Sequence, residues 1–246
     1  MIELAAIFIG IGFAFSYSSR SNKTNAVFLN KATSVDKLEG LEQHILESKP
    51  WNSIVVYGTV GSTSPIETNR SKTSGVFYQE TASIVYERFF EDLPMLEDEA
   101  ILLNRKEVPW YLEDGTAQVN VMGYKRARGF DYILKAYEFT DPVAKHFKSL
   151  LSQKNVKITD PKSCITCEEV LEIGTPLTIV GIAGRDQDGA PMIKRVHQIF
   201  NGRIELEELI CDMESNSESY GISSIYFIAT GMILLAMCVL EDLNEA

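Results

Sequence analysis

Few residues in this chain have the means to do chemistry, and they are scattered. Cys164-Ile165-Thr166-Cys167 is its one Cys-x-x-Cys, while Cys211 and Cys238 stand alone. A structural zinc site takes four ligands, usually from two such pairs or from one pair and two histidines. His44, His146 and His197 form no ligand-like pair. Zinc is therefore the least favoured reading of Cys164 and Cys167, behind a redox or disulfide pair and, first, two ordinary thiols. No Gly-x-Ser-x-Gly or comparable nucleophile context accompanies the histidines, so surface or satisfied side chains are expected. Asp114 and Asp188 each precede a glycine, and turn chemistry explains them before catalysis does. Gly58, Gly61 and Gly75 match neither a dinucleotide fingerprint nor a Walker loop. The expectation is a chain without catalytic, cofactor-binding or metal-binding residues.

The elements that would hold any site are organised around Val108 to Gly123. An aromatic run, Trp110-Tyr111-Leu112, reaches Asp114-Gly115, and an alternating run leaves it with Ala117, Val119 and Val121 on one face. Asp-Gly between two such runs predicts a β-hairpin, because a tight turn needs positive φ and glycine adopts it at little cost. Trp110, Tyr111 and Leu112 read as strand and core packing. Further strands are predicted over 54–61, 75–86, 130–137 and 176–185, with a second Asp-Gly hairpin at Asp188-Gly189. Val35 to Glu47 reads as a helix capped by Ser34 and ended by Pro50. Further helices are expected over 142–151, 168–174 and 206–213, and Glu91 to Glu99 as an acidic loop, solvated or docking basic partners. The fold class is α+β, with a β-rich, barrel- or sandwich-like centre and peripheral helices.

The chain carries 23 Lys plus Arg against 34 Asp plus Glu, a net charge of −11. That sign repels phosphate backbones, so no nucleic-acid partner is expected. Mean hydropathy is nevertheless near zero, because apolar residues gather at both ends. Ile2 to Tyr17 holds one charge, Glu3, and would span roughly 24 Å as a helix. A short membrane helix is favoured there over a cleaved signal peptide or a buried soluble helix. Ile222 to Leu240 has no charge at all and reads as a second membrane helix. Residues 18–34 are polar and read as a linker. Two spans place both termini on one side, and Arg20, Lys23 and Lys31 would put the centre in the cytosol. Asn22-Lys23-Thr24 and Asn69-Arg70-Ser71 match glycosylation acceptors, which matter only in the secretory pathway.

A succession of motifs between the two spans carries a resemblance. They are Val60-Gly61-Ser62-Thr63-Ser64-Pro65-Ile66, Ser74-Gly75-Val76, Glu107 through Thr116 with Pro109-Trp110 at its heart, Val121-Met122-Gly123, Tyr137-Glu138-Phe139 and Leu171 through Gly181. Over roughly residues 50–240 the chain resembles the GIDE-domain RING-type E3 ubiquitin ligases of organelle outer membranes, and the plant chloroplast-envelope branch more than the mitochondrial one. The division expected is a transmembrane helix over 1–18, a linker and amphipathic helix over 19–50, a GIDE-like domain over 51–214, a second transmembrane helix over 220–240 and a short tail over 241–246. The resemblance implies a membrane protein whose partners are membrane-resident protein targets, and also itself or full-length relatives. It places the central domain in the intermembrane space, against the charge argument. Family members transfer ubiquitin through a C-terminal RING that binds zinc and docks an E2 enzyme. Glu241 to Ala246 supplies no such ligands, so recognition and membrane functions are expected of this chain, with a RING-less regulator of full-length ligases as the alternative.

Overall fold

The computed structural model describes residues 2–47, 53–90, 93–141 and 161–245. The chain divides into two units, Met1–Ser34 with Ile204–Ala246, and Val35–Arg203.

The first unit pairs α1 (Ile2–Leu29) with the last helix, α3 (Leu206–Glu245). They run antiparallel. Phe8 packs on Phe227, and Phe15 on both Tyr220 and Phe227, with ring centroids 5.4–5.8 Å apart. The Ser19 hydroxyl donates to the Ser217 carbonyl at 2.7 Å, and the Ser217 hydroxyl returns the bond to the Ser19 carbonyl at 3.0 Å. Small residues set the approach: a Cβ on Gly231 would stand 2.6 Å from Ile9 Cγ1 and 3.0 Å from the Ala5 carbonyl oxygen. Outward apolar side chains such as Phe13, Ile225, Tyr226 and Ile233 are exposed. Only 11% and 17% of the most apolar stretches of α1 and α3 is buried. A core helix of a soluble protein would bury most of that surface, so this pair suggests membrane association.

Two expectations change here. Residues 18–29, read as linker, continue α1, where the Thr24 hydroxyl bonds the Arg20 carbonyl at 2.9 Å. Leu206 to Met213, read as a separate helix, is the opening of α3.

In the second unit the predicted β-branched runs become strands whose alternate residues reach one interior. β1 (Thr33–Val35) leads to a 3-10 turn over Leu38–Gly40 and to α2 (Leu41–Glu47). Ser34 lies in β1 and does not cap the helix. Asp114 takes the capping role from far along the chain, its Oδ2 accepting the Leu38 N–H at 2.8 Å.

The remaining strands are β2 (Ser53–Gly61), β3 (Ile66–Glu67), β4 (Ser74–Phe90), β5 (Leu93–Glu107), β6 (Tyr111–Glu113), β7 (Gln118–Val121), β8 (Lys135–Asp141), β9 (Pro161–Glu172), β10 (Pro176–Arg185) and β11 (Pro191–Asn201). The first sheet runs β1-β2-β10-β11-β7-β6 and closes by pairing β2 with β6, so five strands form a barrel. The closing contact is brief: Thr59, Val60 and Gly61 face Glu113, Leu112 and Tyr111. Fully buried Ile54, Val56, Leu112, Val119, Ile179 and Ile193 fill the interior. The second sheet runs β3-β4-β9-β8, with β5 also paired to β4. Val76, Phe77 and Leu171 of that sheet join the barrel core.

Several sequence-based expectations are corrected in this unit. Residues 93–99, expected in an acidic loop, belong to β5, which pairs with β4 as far as Phe90 opposite Leu93. Glu91 lies outside the described residues, as do His146 and the helix expected over 142–151. Residues 168–172, expected in a helix, belong to β9, because Cys164, Thr166, Glu168 and Val170 are buried at every second position. Phe130–Ile133 is a 3-10 turn, and the strand begins only at Lys135.

The glycines excluded from phosphate binding serve close packing. A Cβ on Gly61 would strike the Tyr111 ring, and one on Gly58 would stand 3.0 Å from the Glu113 carbonyl oxygen. A Cβ on Gly75 would lie 2.5 Å from Val170 Cγ1 and 2.7 Å from the Leu171 carbonyl oxygen. Gly75→Ala should therefore lower unfolding free energy by about 1–3 kcal/mol, as overpacking does. Urea denaturation followed by tryptophan fluorescence checks this, and an unchanged midpoint would contradict the packing described.

Candidate functional site, a groove beside the Pro-Trp hairpin

The hairpin expected around Asp114-Gly115 forms, with Tyr111, Leu112 and Glu113 opposite Asn120, Val119 and Gln118. Its turn is longer than a two-residue one. Asp114 Oδ1 accepts the Thr116 N–H at 2.9 Å, the Thr116 hydroxyl at 2.6 Å and the Ala117 N–H at 3.2 Å, while Gly115 takes φ +83°. Partial burial pushes the Asp114 carboxyl up, but these donors and the Leu38 N–H outweigh it and hold the pKa at about 2. Asp114 thus ties the hairpin turn to the turn that precedes α2.

The second Asp-Gly hairpin has a different organiser. Asp186, and not Asp188, accepts the Asp188 and Ala190 N–H groups at 3.0 and 2.8 Å, and Gly189 takes φ +86°. The Asp-Gly signal marks the turn, but the residue two places earlier has the reach to bond it.

Between these two hairpins lies a groove of about 550 Å³. Val108, Pro109 and Trp110 form one wall, Asn120, Val121 and Met122 another, with Tyr124, Met192 and Asp186 closing it. Its backbone is held from all sides. The Val108 N–H bonds the Val76 carbonyl, the Val121 N–H the Trp110 carbonyl and the Met122 N–H the Ile193 carbonyl, at 2.8–3.1 Å. The Ser62 hydroxyl donates to the Pro109 carbonyl at 2.7 Å.

An aromatic chain supports the floor. Trp110 meets Tyr124 edge-on at 5.3 Å, Tyr124 meets Phe130 at 5.3 Å, and Phe130 meets Phe77 edge-on at 5.1 Å. Trp110 is buried, and its Nε1 has no hydrogen-bond partner among the described residues. Met122 by contrast is 58% exposed. At the rim Glu107 accepts from Lys125 Nζ at 2.7 Å and from the Tyr124 hydroxyl at 3.2 Å. Lys125 first, then Tyr124, holds the Glu107 carboxyl below its usual range despite partial burial. Burial, then the Glu107 charge, raises the Tyr124 hydroxyl, so it stays a neutral donor.

The cysteine and histidine candidates do not converge here. Cys164 and Cys167 are both outside any disulfide on β9, three residues apart and hence on opposite faces, one buried and one half-buried. Such a pair cannot close a disulfide or share a metal. Burial, then Glu169 and Glu138, raises the Cys167 thiol and weakens it as a nucleophile. Cys211 and Cys238 lie on α3, and His44 on α2. His197 lies on β11, its pKa lowered by burial and by Arg195. Among the described residues no group of three or more His, Cys, Asp or Glu is placed to hold a metal ion.

Reading the sequence missed one buried carboxylate. Glu168 of β9 is fully buried and accepts the Ser71 N–H at 2.9 Å, the Arg70 N–H at 3.1 Å and the Tyr78 hydroxyl at 3.3 Å. Burial works against its charge, but the Ser71 and Arg70 donors prevail and hold its pKa below the usual range. It anchors the loop before β4. A lone Glu inside an otherwise alternating buried face is the signal that could have found it.

Comparison with known proteins places the chain in a family. Residues 96–236 match the GIDE family, described as an E3 ubiquitin ligase. The chain is 33% identical over 232 residues to E3 ubiquitin-protein ligase SP1 of Arabidopsis thaliana, covering 92% of this chain and 67% of that one. It is 34% identical over 224 residues to E3 ubiquitin-protein ligase SPL1 of the same plant, covering 87% of this chain and 64% of that one. The chain thus spans about two thirds of the length of these relatives. No solved structure matches it.

Asp114 and Glu168 give the domain a defined acid response. Each has a folded pKa below its unfolded value, so its stabilisation is complete above about pH 5 and is lost as protons bind below that. For Asp114 the loss runs from about pH 4 down to its folded value of about 2. Asp114→Asn should cost about 1 kcal/mol at pH 7 and flatten the fall in denaturation midpoint between pH 5 and pH 2. A midpoint series for both proteins over that range is the check.

Proposed function

Because this chain belongs to the GIDE family of E3 ubiquitin ligases, we propose that it is the membrane-held, target-selecting part of such a ligase system. Its helix pair holds it in an organelle outer membrane, and its groove takes up a segment of a membrane-resident protein target. The chloroplast outer envelope is proposed ahead of the mitochondrial outer membrane, on the resemblance of the chain's motifs to the chloroplast-envelope branch. The antiparallel pairing of α1 and α3 supports two membrane crossings with both ends on one side and the β-domain on the other. Ubiquitin transfer, named for both relatives, is the activity that such selection would serve.

The observation that carries this reading is the groove itself. Its floor is rigid and apolar, and exposed Met122 offers a contact. Asp186 and the Glu107–Lys125 pair stand at its edge in a chain of net charge −11. A target segment with one apolar anchor beside a Lys or Arg fits this chemistry.

Peptide display against the full chain in nanodiscs tests it. The selected peptides should share an apolar anchor next to a basic residue. Met122→Glu should weaken them roughly tenfold or more by placing a charge in the apolar contact. Tyr132→Glu, at a 91% exposed position outside the groove, should leave them bound. No shared sequence, or binding indifferent to Met122→Glu, would defeat the reading.

A further inference from the structure

The second sheet leaves one long edge. β5 pairs with β4 from Glu107 opposite Phe77 to Leu93 opposite Phe90, and among the described residues no other strand pairs with it. Short β3 occupies the same side of β4, but only opposite Ser74 and Gly75. Unpaired N–H and C=O groups along such an edge are a template for another strand. Edges are often blunted by charge, and β5 carries Arg105 and Lys106. Its charges, however, are divided: Glu97, Asp98 and Glu99 come in the first half, and Arg105 and Lys106 in the second.

That division suits one partner in particular. In antiparallel pairing, opposed residues alternate between hydrogen-bonded and non-bonded pairs, so a twofold axis must pass between a residue and its own copy. With the axis at Leu102, Asp98 stands opposite Lys106 of the second copy and Glu99 opposite Arg105. The symmetry repeats both pairings. Leu103 is the extra residue of a bulge, since Leu102 and Asn104 pair with consecutive residues of β4. If the bulge is skipped across the axis, Lys106 falls opposite Glu99, Arg105 opposite Ala100 and Asp98 opposite Glu107, so the unskipped register is the complementary one. An axis at Leu103 would set Glu99 opposite Glu107, and parallel pairing would align like charges. Leu102 itself is 53% exposed, and its own copy would cover it.

We infer that β5 is a self-association edge, at which two copies of this chain join antiparallel about Leu102 and make one sheet continuous across both. This interface is separate from the proposed target groove, and each can stand if the other fails.

The test uses the full chain in detergent micelles. Sedimentation should show a dimer, and Arg105→Glu with Lys106→Glu should weaken it by roughly tenfold through four repulsive cross-strand pairs. Adding Asp98→Lys and Glu99→Lys to that protein should restore it. In a Cys211→Ser background, Leu102→Cys should oxidise to a crosslinked dimer, since opposed Cα atoms lie within disulfide reach. Tyr132→Cys, exposed elsewhere, should not. A monomer at all concentrations, a dimer indifferent to the reversals, or equal crosslinking at both positions would overturn the inference.

Discussion

The second unit depends on the closure of its barrel between β2 and β6. Only three residue pairs make that contact, Thr59 with Glu113, Val60 with Leu112 and Gly61 with Tyr111. Without it the β6–β7 hairpin would hang from β11 by a two-residue parallel contact at Met192 and Ile193. Closure demands close backbones, and glycine at Gly58 and Gly61 supplies the room. The Asp114 carboxylate reinforces it from outside by tying the hairpin turn to Leu38. A barrel with its edges paired is also what lets the groove be rigid, since Trp110 sits just before β6 and Met122 just after β7.

The strands β2, β4 and β10 were legible because each is a β-branched run bounded by glycine or proline, and the hairpins because Asp-Gly has a specific backbone meaning. What could not be read was set by residues distant in sequence. Ser34 looks like a cap, yet the Leu38 N–H is met by Asp114. Residues 168–172 hold three glutamates among apolar residues and mimic a short amphipathic helix. Only pairing with β4 on one side and β8 on the other makes them a strand. Acidic residues 97–99 suggest a loop until β4 is laid beside them. At the candidate site, local pattern alone makes Trp110 a packing residue. The groove needs Asp186 and Met192, which local pattern could not place beside Pro109.

The two units solve opposite solvent problems. In the barrel unit apolar side chains turn inward, and its buried charge, Glu168, is surrounded by donors. In the helix pair apolar side chains turn outward, while Ser19 and Ser217 bond inside the pair. That inversion is why composition averaged over the chain is uninformative, and why the ends had to be read separately from the middle.

The same strand order sets how the protein can be made. Val56 pairs with Ile179, and Thr59 with both Pro176 and Glu113, so the first long strand has no complete set of neighbours until most of the chain has left the ribosome. Contacts so remote in sequence form late and slowly. During that interval the unpaired edges of β2 would be open to other chains. The first helix precedes the barrel in the chain, whereas its partner α3 follows it. Biogenesis thus has a fixed order, with one helix waiting while the barrel closes and the second arriving to complete the pair.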